Sequence, residues 1–255
     1  AYLEELKAAH WPPESDVSGI RYESHQPPLY YGLAMPVLGA VSGASVEAQV
    51  WALRLFTVLL GAAALVLTFR LGRVLWPARP GRAIALMAFS AFLPMHTAVS
   101  AAVNNDVLAE ALVIAVAIQS LTIALRPRSR RRGAEPALGV VLGLCLLTKT
   151  TAYIAVPLIA AALVVRAERS GRRWGRLPGD AVRVGVPAAL LWLPWNGRNL
   201  YVYGLGDPLG LARGVTVQRK TRVGKIAFVD GSGQLPGRFV HHRAVKGPGH
   251  RQRQS

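Results

Sequence analysis

Long apolar runs alternate along this chain with short gaps crowded by arginine. Trp51 to Phe69, Ala83 to about Val99 and Val107 to Leu125 are each close to a full bilayer crossing, which takes roughly 20 apolar residues. Two shorter runs, Ala137 to Leu147 and Ala152 to Val165, flank Thr148-Lys149-Thr150-Thr151. Val184 to Trp195 closes the series, with tryptophans near its end where interface anchors sit. The pattern predicts an all-α polytopic integral membrane protein with about six transmembrane helices. Residues 51–199 form its transmembrane helical domain.

The flanking regions read differently. Residues 1–27 are an outer segment, with a short amphipathic helix from Tyr2 to about His10 and then a Pro-rich loop at Trp11-Pro12-Pro13. Residues 28–50 are a juxtamembrane helix and connector: Pro28 to about Val41 is apolar but short, and Gly32, Pro36 and Gly39 weaken it. The rival is a short true span. Beyond residue 199 come an outer loop and a basic tail (200–255), which shows no span and ends in a low-complexity, disorder-like stretch. That tail also fits a truncation or a shifted reading frame.

Charge fixes an orientation. Arg70, Arg73, Arg79 and Arg82 fill one gap, Arg126 to Arg132 a second, and Arg166, Arg169, Arg172, Arg173, Arg176 and Arg183 a third. Taking all three gaps as cytoplasmic satisfies the positive-inside rule and the parity of the spans. Glu23, His25, Asp106, Lys149 and Asn199 then share the outer side. The net charge of +17 over 255 residues is therefore a topology signal, and a nucleic-acid partner is not expected. Cys145 is the single cysteine, so no intramolecular disulfide can form.

Candidate chemistry gathers on that outer side. Glu23 and His25 stand before Pro27-Pro28 and Tyr30-Tyr31. The prolines stiffen the approach, and both tyrosines are expected at the interface. The acid and imidazole could bind a divalent metal, meet a phosphate or move a proton, or could be solvated loop residues. Asp106 and Glu110 share a helix face at i, i+4 behind an Asn104 or Asn105 cap, where first-turn acids complement the dipole. Lys149, between two apolar runs, needs an anion or a route to the headgroups. Arg198 could clamp a phosphate, whereas Asp207-Pro208 is also ordinary turn chemistry. His96, beside Pro94, reads as a hydrogen-bonded packing histidine and Arg54 as an interface anchor. His241-His242 lacks partners at metal spacing. Neither a Gly-rich phosphate loop nor a Ser-His-Asp elbow is legible.

Four motifs in order carry a family resemblance: His25-Gln26-Pro27-Pro28-Leu29-Tyr30-Tyr31, Asn105-Asp106, Leu147-Thr148-Lys149 and Arg198-Asn199. Over roughly residues 1–210 the chain resembles the GT-C glycosyltransferases, such as protein mannosyltransferases and lipid A aminoarabinose transferases. The usual Tyr-Gly-Asp-Pro is interrupted here by Leu205-Gly206. The resemblance implies the N-terminal part of a GT-C fold in a bacterial plasma membrane. It implies inverting transfer of a sugar from a polyprenyl-phosphate carrier to a glycan, lipid or protein acceptor. Lys149 and Arg198 would hold the leaving phosphate, and Asn105, Asp106, Asn199 and Asp207 would contact substrate. Glu23 and His25 would organise the cavity mouth, with or without a metal. The family's base belongs to a loop before Ala1, so residues 1–255 alone are expected not to catalyse transfer. The alternatives are a transporter or flippase subunit, which predicts an internal repeat, and a non-catalytic membrane scaffold.

Overall fold

In a bilayer a segment must satisfy its own backbone N–H and C=O groups, and the apolar runs accordingly fold as helices. The computed structural model describes residues 26–125, 133–171 and 174–205. Eight α-helices and no strand occur among the described residues. They are α1 (Leu29–Ala40), α2 (Val46–Leu75), α3 (Pro80–Ala91), α4 (Pro94–Ser100), α5 (Asp106–Leu125), α6 (Ala134–Leu146), α7 (Ala155–Arg169) and α8 (Leu177–Tyr203). Short 3-10 turns at Thr150–Ile154 and Trp174–Arg176 lead into α7 and α8.

Three of these helical stretches, α2, α5 and Thr150–Arg169, are long and apolar enough to cross a membrane. The α3–α4 pair makes a fourth if it is one broken span. The six expected crossings are thus not all met among the described residues. At 13 residues, α6 reaches only about 20 Å. Helix α8 has length, but Asp180, Arg183 and Arg198 dilute its apolar surface. The run expected from Ala83 to Val99 is interrupted, because Leu93 is extended ahead of Pro94 and the two axes bend by 66°. Helix α2 is longer than its apolar run, starting at Ser45, whose hydroxyl accepts from Ala48 N–H at 3.3 Å, and ending before Pro77.

Helix α5 sits centrally, packing on α2, α6 and α7. The core joins Val116 and Ile123 of α5 to Leu138 and Leu142 of α6, Ile159 and Leu163 of α7, and Val184 of α8. Helices α6 and α8 run parallel at close range, because Gly139 and Gly143 present bare backbone to Val184, Ala188 and Leu191. This Gly-x-x-x-Gly spacing is a common device for close helix contact in membranes. A Cβ at 139 would fall on the Val184 carbonyl oxygen, and one at 143 would stand 2.8 Å from Leu191 Cδ1. Gly139→Ala is therefore expected to lower stability by about 1–3 kcal/mol through overpacking. Gly32→Ala meets open space and should shift little, and thermal unfolding in detergent compares the two.

The arginine-bearing end of α7 meets the starts of α6 and α8. There Arg166 of α7 donates to Glu135 of α6 at 2.8 Å and approaches Asp180 of α8 at 3.7 Å. Asp180 also accepts from Arg183 at 3.1 Å. The starts of α5 and α1 come together elsewhere, where the polar motifs meet.

Candidate functional site

Two turns and one helix start build a cleft of about 480 Å³. Pro27-Pro28 delivers the chain into α1, and the Leu29 N–H donates to the Leu147 carbonyl at 3.0 Å. This ties the Pro-Pro motif to the Leu-Thr-Lys turn. Asn105, which is buried, donates from Nδ2 to the Thr148 carbonyl at 3.2 Å and ties the Asn-Asp turn to the same place. Asn104 accepts the Asp106 N–H at 3.0 Å and donates to the Val99 carbonyl at 2.8 Å, closing the turn ahead of α5. Asn104 thus makes an Asx turn onto the first residue of α5, and Asn105, whose carbonyl accepts the Ala109 N–H at 3.1 Å, serves as a strut.

Asp106 and Lys149 meet on this frame, with Lys149 Nζ donating to Asp106 Oδ1. Their side chains are 48% and 21% exposed, so the pair is accessible from the cleft. Gln26, Tyr31, Asn104 and Asn105 complete the polar wall, and Ala34, Met35, Leu38, Leu53 and Val103 form an apolar one. The cleft can accommodate an amphiphile whose charged group lies beside Lys149. Lys149 is the one cation among the described lining residues.

The two tyrosines part company. Tyr31 is exposed, as an interface residue would be, but Tyr30 is 2% exposed and lies inside. Thr57 gives its proton to the Leu53 carbonyl at 3.0 Å, so the Tyr30 hydroxyl donates to Thr57 Oγ1, also at 3.0 Å. The expectation of an interfacial Tyr30 is corrected: a partner on α2 makes burial of its hydroxyl affordable. Tyr30→Phe is expected to lower stability by about 1 kcal/mol in thermal unfolding. The cleft should keep its shape, because the ring remains.

The model of a family described as predicted membrane proteins (DUF2142) matches residues 5–218. The chain belongs to the DUF2142 family. No curated protein and no solved structure matches it. The family match covers the cleft and the end of α8 alike, and this DUF2142 protein is a helical membrane protein.

Not every expected site residue joins the cleft of the DUF2142 protein. Arg198 and Asn199 do not line it. Arg198 lies over the Trp195 ring at 4.9 Å and the Tyr203 ring at 6.0 Å, and donates to Asn199 Oδ1 at 2.8 Å. Its guanidinium is thus pre-oriented at the end of α8. Glu23, His25 and Asp207 fall outside the described residues. So does the metal considered for Glu23 and His25; among the described residues no cluster of three His, Cys, Asp or Glu forms. Sequence reading missed three contributors: Gln26, Tyr30 with its Thr57 partner, and the carboxylate partner of Lys149. Gln26 stood within the quoted Pro-Pro motif, which was the available signal.

One further ionisable pair lies below the cleft. His96 Nδ1 is 3.2 Å from Glu110 Oε2, joining α4 to α5 one turn beyond Asp106. His96 is therefore hydrogen-bonded packing, as read. Glu110 gains a specific partner in addition to its favourable place in the helix.

Proposed function

We propose that this DUF2142 protein is a membrane glycosyltransferase of the GT-C kind. It takes a sugar from a polyprenyl-phosphate carrier and passes it to a glycan, lipid or protein acceptor. One observation carries the proposal: among the described residues the cleft joins an apolar wall to a single lining cation, Lys149. An amphiphilic phosphate needs that combination, with a point charge for its oxygens and lipid-like surface for its chain.

In this mechanism the acceptor hydroxyl passes its proton to a general base, and its oxygen attacks the anomeric carbon as the bond to the carrier phosphate breaks. The electron pair passes to the phosphate, whose charge grows. Lys149 stabilises that growth from a fixed turn, an electrostatic contribution. Asn105 holds the turn, and Arg198 with Asn199 offers a second polar station at the end of α8. Glu23 and His25, which precede Gln26 in the chain, organise the mouth, with or without a divalent metal. Asp207 adds a substrate contact. The arginine-rich gaps face the cytoplasm of a bacterium and the cleft faces out. There are six crossings if α6 and α8 also traverse.

The test supplies native membranes containing the protein with a polyprenyl-phosphate hexose and follows both products. Transfer predicts acceptor-dependent release of polyprenyl phosphate that is lost with Lys149→Gln. Movement of intact donor across the bilayer, with the sugar–phosphate bond unbroken, would refute transfer and favour a flippase.

A further inference from the structure

Lys149 already holds an anion in the resting protein. We infer that Asp106 is the resting occupant of the seat at Lys149, and that binding a ligand phosphate is an exchange in which the phosphate displaces the carboxylate. This rests on the proposal that Lys149 receives the phosphate, and it assigns Asp106 the role of internal competitor in place of substrate contact.

The pair is unequal in a way that permits exchange. Asp106 opens α5, where the positive end of the helix stabilises a carboxylate whether or not the lysine is present. Nearly half its side chain is exposed, so water can take over the vacated oxygens. Lys149 is the less exposed partner, and Asp106 is the one carboxylate among the described residues lining the cleft. The lysine thus requires an anion, while the aspartate does not require the lysine. Neighbouring groups add no rival: Thr148, Thr150 and Thr151 are uncharged, and Glu110, one turn beyond Asp106, is bonded to His96.

The cleft also holds a group ready for an incoming ligand. Gln26 lines it, and its side-chain Oε1 is buried without a hydrogen-bond partner. A buried acceptor left unpaired in the resting state gains when a ligand brings a donor to it. A sugar hydroxyl next to the phosphate would do so, whereas the phosphate oxygens, themselves acceptors, belong beside Lys149. The backbone frame need not move, since Asn105 and Leu29 hold Thr148 and Leu147 independently of the ion pair.

Exchange has a distinctive sign. A binding-competent lysine that is only partly free weakens apparent affinity by the free fraction. A half-exposed pair is worth little, so removing the competitor should tighten binding about two- to fivefold. Any account in which Asp106 contacts ligand, or merely orients Lys149, predicts loss instead.

The experiment titrates the full chain in nanodiscs with farnesyl phosphate and, separately, with inorganic phosphate. It compares wild type, Asp106→Asn, Asp106→Ser and Lys149→Gln. The expected result is tighter farnesyl phosphate binding in both Asp106 variants and loss of binding in Lys149→Gln. Tightening for inorganic phosphate as well places the exchange at the phosphate itself; tightening for the farnesyl ester alone shows that the apolar wall is needed to seat it, and both support exchange. Unchanged or weaker binding in Asp106→Asn and Asp106→Ser, with Lys149→Gln still deficient, overturns exchange and leaves the lysine's role standing. Undiminished binding in Lys149→Gln overturns the lysine's role and exchange together.

Discussion

Lys149→Gln is expected to weaken binding of a polyprenyl phosphate by roughly tenfold to a hundredfold, the worth of a charge-assisted hydrogen bond of about 1.5–3 kcal/mol. The effect should be large because no second cation lines the described part of the cleft. Glutamine keeps much of the side-chain length but offers no charge. Stability should change by less than about 1 kcal/mol, since the pair is partly exposed and Asp106 keeps its helix terminus. A titration in nanodiscs beside a thermal unfolding curve separates lost affinity from lost fold. Lys149→Arg should restore only part of the affinity, because a planar fork does not reproduce a compact ammonium on a short turn.

Arg166→Met is expected to be the most destabilising single change, by about 3–5 kcal/mol. Arg166 is 13% exposed and lies between Glu135 and Asp180, themselves 4% and 10% exposed. Removing the guanidinium leaves two desolvated carboxylates without their shared cation at the meeting point of α6, α7 and α8. The exposed neighbour Arg183 also bonds Asp180, yet Arg183→Ala should lower stability by under about 1 kcal/mol because water replaces it. Pairing Arg166→Met with Glu135→Gln should recover part of the loss, since the second change removes one of the two buried carboxylate charges that Arg166 offset. Thermal unfolding in one detergent measures all three variants.

Much of this architecture was legible along the chain. Apolar runs announced the helices, and the Pro-Pro, Asn-Asp and Leu-Thr-Lys motifs proved to be neighbours through the Leu29–Leu147 and Asn105–Thr148 bonds. What escaped was contact across sequence distance. Lys149 was expected to find a phosphate or the headgroups, whereas its resting partner is Asp106, 43 residues away. Spacing along one strand of text cannot show a pair that forms only when two turns meet. Tyr30 was misplaced for the same reason, since its burial depends on Thr57 of another helix. Arg166 was read as a topology signal, yet half of its significance is an internal lock. Pro94 was visible, but the size of the bend, 66°, and the contacts of α3 and α4 with α2 were not. Arg198 was expected beside the other motifs but does not line the cleft, lying instead over Trp195 at the end of α8.

The most direct test of the central claim, that the cleft receives the phosphate of a lipid-borne substrate, is photolabelling within a bilayer. A polyprenyl phosphate carrying a photoactivatable group near its phosphate would be crosslinked to the protein and the labelled peptides sequenced. Label is expected on α1 around Tyr31 to Leu38 and on Val103 to Asp106, and is lost in Lys149→Gln. Label spread over the lipid-facing surfaces of α2 and α8, unchanged in Lys149→Gln, would contradict it.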